Sequence, residues 1–171
     1  MFTEDVRNVV VTGGAGFIGS TFARLLMERG YERVRVFDKL TYAGNPANIA
    51  DLLRHPSFSF VQGDICDTGA VDAAVDGFDA IVNFAAETHV DRSIMDPGEF
   101  IQTDVYGVFT LLEAARRHNT RRFVHVSTDE VYGEISSGSS TETDALAPRN
   151  PYSASKAGGE MMVRAYASTY G

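Results

Sequence analysis

NVVVTGGAGFIGS, running from Asn8 to Ser20, is the stretch on which the fold turns. Its first five residues are almost wholly β-branched and apolar, as expected of a strand covered on both faces in a parallel sheet. Gly13, Gly14, Gly16 and Gly19 follow at once, and Phe17 to Arg29 then has the amphipathic period of a helix. Strand, glycine turn and helix form the context in which Gly14-Ala15-Gly16-Phe17-Ile18-Gly19 reads as a dinucleotide fingerprint. Gly13 or Gly14 permits the tight turn, and Gly16 lets backbone amides approach a pyrophosphate. Gly19 permits close helix–strand packing, and the helix N-terminal dipole favours the anion. Alone, such a glycine triplet is weak evidence, because an ordinary turn also explains it.

Support comes from further along the chain. Asp38 closes a second strand, Arg33 to Asp38, about twenty residues on, where a carboxylate bonds an adenosine ribose diol. The same charge repels a 2′-phosphate, so NAD is expected over NADP, although neighbouring Lys39 softens that preference. Asp64-Ile65, after a third strand at Phe58 to Gln62, either flanks the adenine or supplies a helix cap; both readings stand. A short helix is expected near Pro46 to Leu53, another at Thr68 to Val75, and a fourth strand at Asp79 to Phe84. A long helix at Pro97 to Arg117, a fifth strand at Arg122 to Ser127 and a last helix at Pro151 to Tyr170 complete the alternation. This pattern implies an α/β fold, a doubly wound parallel sheet of Rossmann type. With no linker or repeat, residues 1–171 are expected to form one NAD-binding domain. A six-stranded sheet would need another strand after Gly171, so the last strand and a carboxyl-terminal substrate domain are expected outside this chain.

Composition narrows the function. A formal charge of −8, with acids and bases interspersed, argues against nonspecific binding to nucleic acid or an anionic membrane surface. MFTEDVRN has no signal-peptide apolar region, and no run approaches the ~18 apolar residues of a membrane span. The single Cys66 cannot form an internal disulfide and fits a reducing cytoplasm, as a small apolar filler. Cys66 and the histidines, His55, His89, His118 and His125, lack metal-ligand spacing, so no metal site is expected. His125 reads as a satisfied core residue, and His89 lies near the cofactor loop.

Two further segments carry chemistry. STDEVYG, Ser127 to Gly133, places Thr128, Asp129 and Glu130 at the carboxyl end of the fifth strand, where open α/β sheets bind and transform ligands. Consecutive strand residues point to opposite faces, so the backbone must turn at Asp129 for both carboxyls to serve one substrate. In Tyr152-Ser153-Ala154-Ser155-Lys156, residues four apart share a helix face. A nearby ammonium pulls a phenol down from ~10 toward working pH, letting it take a hydroxyl proton as hydride leaves the same carbon. An isolated Tyr-x-x-x-Lys pair is more often a solvated helix face; after a dinucleotide fingerprint the odds reverse.

These motifs resemble the amino-terminal part of the extended short-chain dehydrogenase/reductases. TGGAGFIGS (Thr12–Ser20) and PYSASKA (Pro151–Ala157) mark that superfamily. DKLTYAGN (Asp38–Asn45), the HVDRSI of AAETHVDRSI (Ala85–Ile94) and the Thr128-Asp129-Glu130 triplet are similar to the dTDP-glucose 4,6-dehydratases, as is GDICD (Gly63–Asp67). The resemblance implies NAD contacts from Phe17, Ile18, Asp38, Lys39, Leu40, Thr41, Asp64, Ile65, Phe84, Ala85, Ala86, Glu87, Thr103, Tyr152 and Lys156. It implies sugar contacts from Thr88 and Thr128. Tyr152 would be the base for oxidation at C4, Asp129 the acid and Glu130 the base for elimination of water across C5 and C6. One departure is Asp104, where these enzymes usually carry Asn.

Two alternatives remain at this level. A nucleotide-sugar 4-epimerase or decarboxylase shares the Tyr/Lys pair and NAD but does not need Asp129-Glu130; an inert NAD-binding fragment needs neither. The helices at Pro97–Arg117 and Pro151–Tyr170 carry apolar residues on more than one face (Val108, Leu111, Leu112; Met161, Met162, Ala165), and in related enzymes such a pair forms a dimer interface. A cytoplasmic homodimer acting on a nucleoside-diphosphate sugar is therefore expected.

Overall fold

The computed structural model describes residues 6–171, which divide into two compact units. One runs to Ala85 and includes Thr110–Val126; the other comprises Ala86–Phe109 and Ser127–Gly171.

The first unit is built on a five-stranded sheet ordered β3-β2-β1-β4-β5, every pairing parallel. Its strands are β1 (Asn8–Thr12), β2 (Arg33–Asp38), β3 (Phe58–Gln62), β4 (Ala80–Asn83) and β5 (Arg122–His125). Register places Val10 between Arg35 and Ile81. Strand order reverses between β1 and β4, which puts the loop after Thr12 at the switch point where such sheets bind ligands. Successive β1 side chains enter opposite cores. Val9 and Val11 pack with Ala23 and Leu26 of α1 (Phe17–Glu28), whereas Val10 packs with Val71 of α2 (Thr68–Val75) and with Leu111. All three valines are fully buried, each contributing roughly 1.5–3 kcal/mol, which explains why β1 is apolar without interruption.

Several boundaries differ from the expected ones. The helix foreseen near Pro46 to Leu53 is two 3₁₀ turns, Pro46–Ile49 and Leu52–Arg54. Asn45 caps the first by accepting from the Ala47 amide at 3.0 Å, and the segment is too short to propagate an α-helix. β4 begins at Ala80 because the Asp79 carboxylate bonds the amides of Arg7 and Asn8, at 3.0 and 2.9 Å. β5 ends at His125, not Ser127.

The second unit contains α3 (Val90–Met95), α4 (Pro97–Ile101), a π-helical segment (Gln102–Gly107), a 3₁₀ turn (Asp129–Tyr132) and α6 (Pro151–Tyr170); α5 (Val108–Arg117) begins in it and continues, from Thr110, in the first unit. The expected helix from Pro97 to Arg117 is thus continuous in coil but widened in its middle, with Asp104 buried on the π segment. α3 was not anticipated. α6 starts from a capping box between Asn150 and Ser153, with Pro151 in the first turn. Val108, Leu111 and Leu112 of α5 do not face outward; they are buried within the chain. The exposed apolar side chains on these helices include Ile101, Tyr106, Phe109, Met161 and Tyr170. Among the described residues no helix is long and apolar enough to cross a membrane.

Candidate active site

In the first unit, φ at Gly13 is +65°, and a Cβ there would lie 2.6 Å from the Ala85 amide nitrogen. Gly13, not Gly14, is therefore the turn residue. A Cβ at Gly19 would collide with the Gly13 carbonyl oxygen, so α1 sits directly against the loop. Gly16 opens α1 with no capping side chain, and the first turn holds no acid. Its amides are available to an anion.

Asp38 is buried at the end of β2. Its two carboxylate oxygens accept from the amides of Ala15 (2.9 Å) and Leu40 (2.8 Å). A carboxylate has about four acceptor positions, so this fixed group can still accept from two vicinal hydroxyls. Lys39 is occupied differently from expectation. Its ammonium lies 2.7 Å from the Asp64 carboxylate, and Asp64 also accepts from the Cys66 amide at 2.9 Å. Burial raises the Asp64 carboxyl, but these partners outweigh it and hold the group below the usual range. The cap of α2 is Asp67, accepting from the Ala70 amide, which removes that reading of Asp64. Ile65 is a core residue, Thr41 is exposed, and Phe84 is half-buried against Phe22. A glycine cradle, an uncapped helix end and a pinned carboxylate fit a pyrophosphate joined to a ribose.

The second unit gathers the residues that the sequence pattern singled out for acid–base work. Thr128 caps the turn that follows it, its Oγ1 accepting from the Glu130 amide and donating to Asp129, both at 3.3 Å. The backbone thus turns at Asp129 as the two-carboxyl reading requires. Asp129 is exposed and Glu130 half-buried. Glu130 accepts from Asn150 Nδ2 at 3.0 Å, which ties it to the start of α6, two residues before Tyr152.

Tyr152 is half-buried and meets Phe100 edge-on at 6.4 Å. Its phenol departs from expectation, lying above its ordinary value. Burial is the main cause; a hydrogen bond with Thr128 opposes it, while Glu130, Asp104 and Asp129 add to it. The helical spacing suggested a cation's influence, but the charges that weigh on the phenol are carboxylates from two segments distant in sequence. Lys156 is 4% exposed, and burial lowers its ammonium against the support of Asp104 and Glu160. Asp104 is 1% exposed and pushed up to about 6, principally by burial. Its Oδ1 accepts from the Glu87 amide (2.9 Å) and its Oδ2 meets the Ser155 hydroxyl (2.7 Å). Glu87 is itself buried, 3.7 Å from the Arg92 guanidinium.

The site residues named from sequence thus divide cleanly. Gly13, Gly16, Phe17, Ile18, Gly19, Asp38 to Thr41, Asp64, Ile65, Phe84 and Ala85 belong to the first unit. Ala86, Glu87, Thr88, Thr103, Thr128, Asp129, Glu130, Tyr152 and Lys156 belong to the second. Asn150 was missed, and Ser155 was named only as part of the Tyr152–Lys156 segment. Asn150-Pro151 does read as a helix cap, but the Asn150 bond to Glu130 bridges twenty residues and has no local signature. His125 ends β5 with Nδ1 3.0 Å from Asn83 Nδ2, His118 lies 3.3 Å from both Asp72 and Asp76, and His89 is exposed. Among the described residues no group of three His, Cys, Asp or Glu could hold a metal.

Comparison with known proteins places this geometry. The family model described as GDP-mannose 4,6 dehydratase matches residues 10–171. The low-salt glycan biosynthesis protein Agl12 of Haloferax volcanii is 55% identical over 163 residues, covering 95% of this chain and 53% of its own length. A dTDP-glucose 4,6-dehydratase of an Actinoplanes species is 48% identical over 169 residues, with coverages of 95% and 53%. The crystal structure of DesIV, a dTDP-glucose 4,6-dehydratase from Streptomyces venezuelae with NAD bound, superposes with a TM-score of 0.92 at 52% identity, covering 95% of this chain and 52% of that one. The chain spans about half the length of the curated relatives it matches.

Proposed function

This chain belongs to the GDP-mannose 4,6 dehydratase family, and from that premise we propose that residues 1–171 form the NAD-binding domain of a nucleotide-sugar 4,6-dehydratase, with dTDP-glucose the favoured substrate. The observation that carries this reading is the turn at Asp129–Tyr132, which brings Thr128, Asp129 and Glu130 to bear on Tyr152 within one unit. An epimerase or decarboxylase has no use for that acid pair.

NAD would be held by the Gly13–Gly19 loop and by Asp38, with Lys39, Leu40, Thr41, Asp64, Ile65, Phe84 to Glu87, Thr103, Tyr152 and Lys156 as further contacts. Bound there, NAD would supply the hydride acceptor for C4 and the hydride donor for C6 of the sugar. Tyr152 takes the C4 hydroxyl proton during the oxidation, its hydroxyl aligned by Thr128. The resulting ketone makes the C5 proton acidic. Glu130, steered by Asn150, removes that proton, and protonated Asp129 gives its proton to the C6 hydroxyl, which leaves as water. Thr88 and Thr128 would contact the sugar.

We further read the protein as a cytoplasmic homodimer, with exposed Ile101, Tyr106, Phe109 and Met161 contributing to the interface. Light scattering at micromolar concentration returning only monomer mass would reject that part. The catalytic reading is tested by incubating a protein carrying this chain with dTDP-glucose. A product lighter by one water is expected; an isomer of unchanged mass would instead mark an epimerase.

A further inference from the structure

Asp104 stands outside the reaction as derived, yet it is among the most buried polar residues of the chain. Its surroundings hold one proton too few. Ser155 Oγ has a single hydrogen and two acceptors within reach, Asp104 Oδ2 at 2.7 Å and the Tyr152 carbonyl oxygen at 2.8 Å. With Asp104 ionised, the serine proton can satisfy only one of them. With Asp104 protonated, the carboxyl donates to Ser155 Oγ, and the serine donates onward to Tyr152. The other oxygen, Oδ1, accepts from the Glu87 amide in either state.

Charge points the same way. Buried in this cluster are the carboxyls of Asp104 and Glu87 and one ammonium, Lys156. Glu87 approaches Arg92 of α3, but only at 3.7 Å, and that guanidinium also lies 3.6 Å from Glu99. On α6, Lys156 is shared with Glu160, and Tyr152 also feels Glu130 and Asp129 from the turn. A second ionised buried carboxyl is therefore poorly compensated.

We propose that Asp104 is a titrating positioning residue for the Tyr152–Lys156 pair, switching the Ser155 hydrogen bond and the charge beside that pair as it gains or loses one proton. The proposal rests on the dehydratase reading only for its catalytic consequence. Protonated, Asp104 completes the chain through Ser155 to the Tyr152 backbone and leaves the phenolate unopposed from this side. Ionised, it adds an anion that holds Lys156 charged but opposes phenolate formation. Burial raises the Asp104 carboxyl to about 6. Asn at this position donates from Nδ2 to Ser155 and accepts at Oδ1 from Glu87, so Asp104→Asn fixes the protonated arrangement without its pH dependence.

Two measurements on the 171-residue chain test this without turnover. Carbon-13 NMR of the Asp104 carboxyl should show a titration near pH 6; a midpoint near the ordinary ~4 would overturn the proposal. Tyrosinate absorbance, with Tyr152→Phe subtracted to isolate that ring, should titrate at lower pH in Asp104→Asn than in wild type. An unchanged midpoint would overturn the coupling. In a protein carrying this chain that turns over dTDP-glucose, the pH profile of C4 oxidation should move downward in Asp104→Asn, and an unmoved profile counts against the positioning role. Should both titrations behave as expected while wild type oxidises no sugar, the switch stands and the dehydratase reading falls.

Discussion

On the dehydratase reading proposed above, replacing Glu130 with Gln should separate the two half-reactions. Gln keeps the length and an amide oxygen that can still accept from Asn150 Nδ2, at present 3.0 Å from Glu130 Oε2. What disappears is the base for the C5 proton. Loss of a positioned base costs ~10²–10⁴-fold, about 3–5 kcal/mol of barrier, so formation of 4-keto-6-deoxy product should fall by that factor. Oxidation at C4 should not fall with it. Glu130 is one of three carboxylates that raise the Tyr152 phenol, and neutralising it makes the proton easier to lose. Rapid mixing with dTDP-glucose under single-turnover conditions follows both events, reduced nicotinamide by near-ultraviolet absorbance and product by mass spectrometry. Glu130→Gln should accumulate reduced nicotinamide, whereas Tyr152→Phe should give neither signal. Slowing of nicotinamide reduction by Glu130→Gln to the level of Tyr152→Phe would refute the division of labour, and undiminished product would refute the role of Glu130 altogether.

Three other outcomes follow from the geometry. Gly13→Ala forces a side chain into left-handed backbone and against the Ala85 amide, so urea unfolding should show a loss of about 2–4 kcal/mol, with calorimetric NAD binding abolished; a neutral result would reject the turn assignment. NAD(H) should bind the chain more tightly than NADP(H), because Asp38 presents a carboxylate and Lys39 is engaged by Asp64; equal affinities would reject it. Asp104 has a folded-state value of about 6, above its unfolded value, so the fold binds its proton more tightly and this contribution to stability is lost as pH rises from about 4 to 6. Asp104→Asn should therefore gain stability over wild type across that window, levelling off above it at about 3 kcal/mol, and a pH-independent difference would refute the burial argument.

Much of this molecule was legible in the residues alone. NVVVT reads as a strand buried on both faces, and four glycines between it and an amphipathic segment read as a βα turn. These are local rules, obeyed within a dozen residues, which is why β1, α1, β2, β3, α2 and α6 fall where periodicity puts them, within a residue or so. Asp38, Asp129, Glu130, Tyr152 and Lys156 were singled out in the same way, each in a motif whose proposed chemistry would need that residue type. Tertiary structure decided what no local rule contains. It chose Gly13 over Gly14, because the obstructing atoms belong to Phe84 and Ala85, some seventy residues away. It paired Lys39 with Asp64 and Glu130 with Asn150, and it turned Val108, Leu111 and Leu112 inward. It also reversed the expected influence on Tyr152. Helical spacing set Lys156 one turn away, but the field at the phenol is a sum over burial and over Glu130, Asp104 and Asp129, groups from two separate segments. Spacing is a property of the chain, whereas desolvation and charge act through space, and only folding brings those groups together.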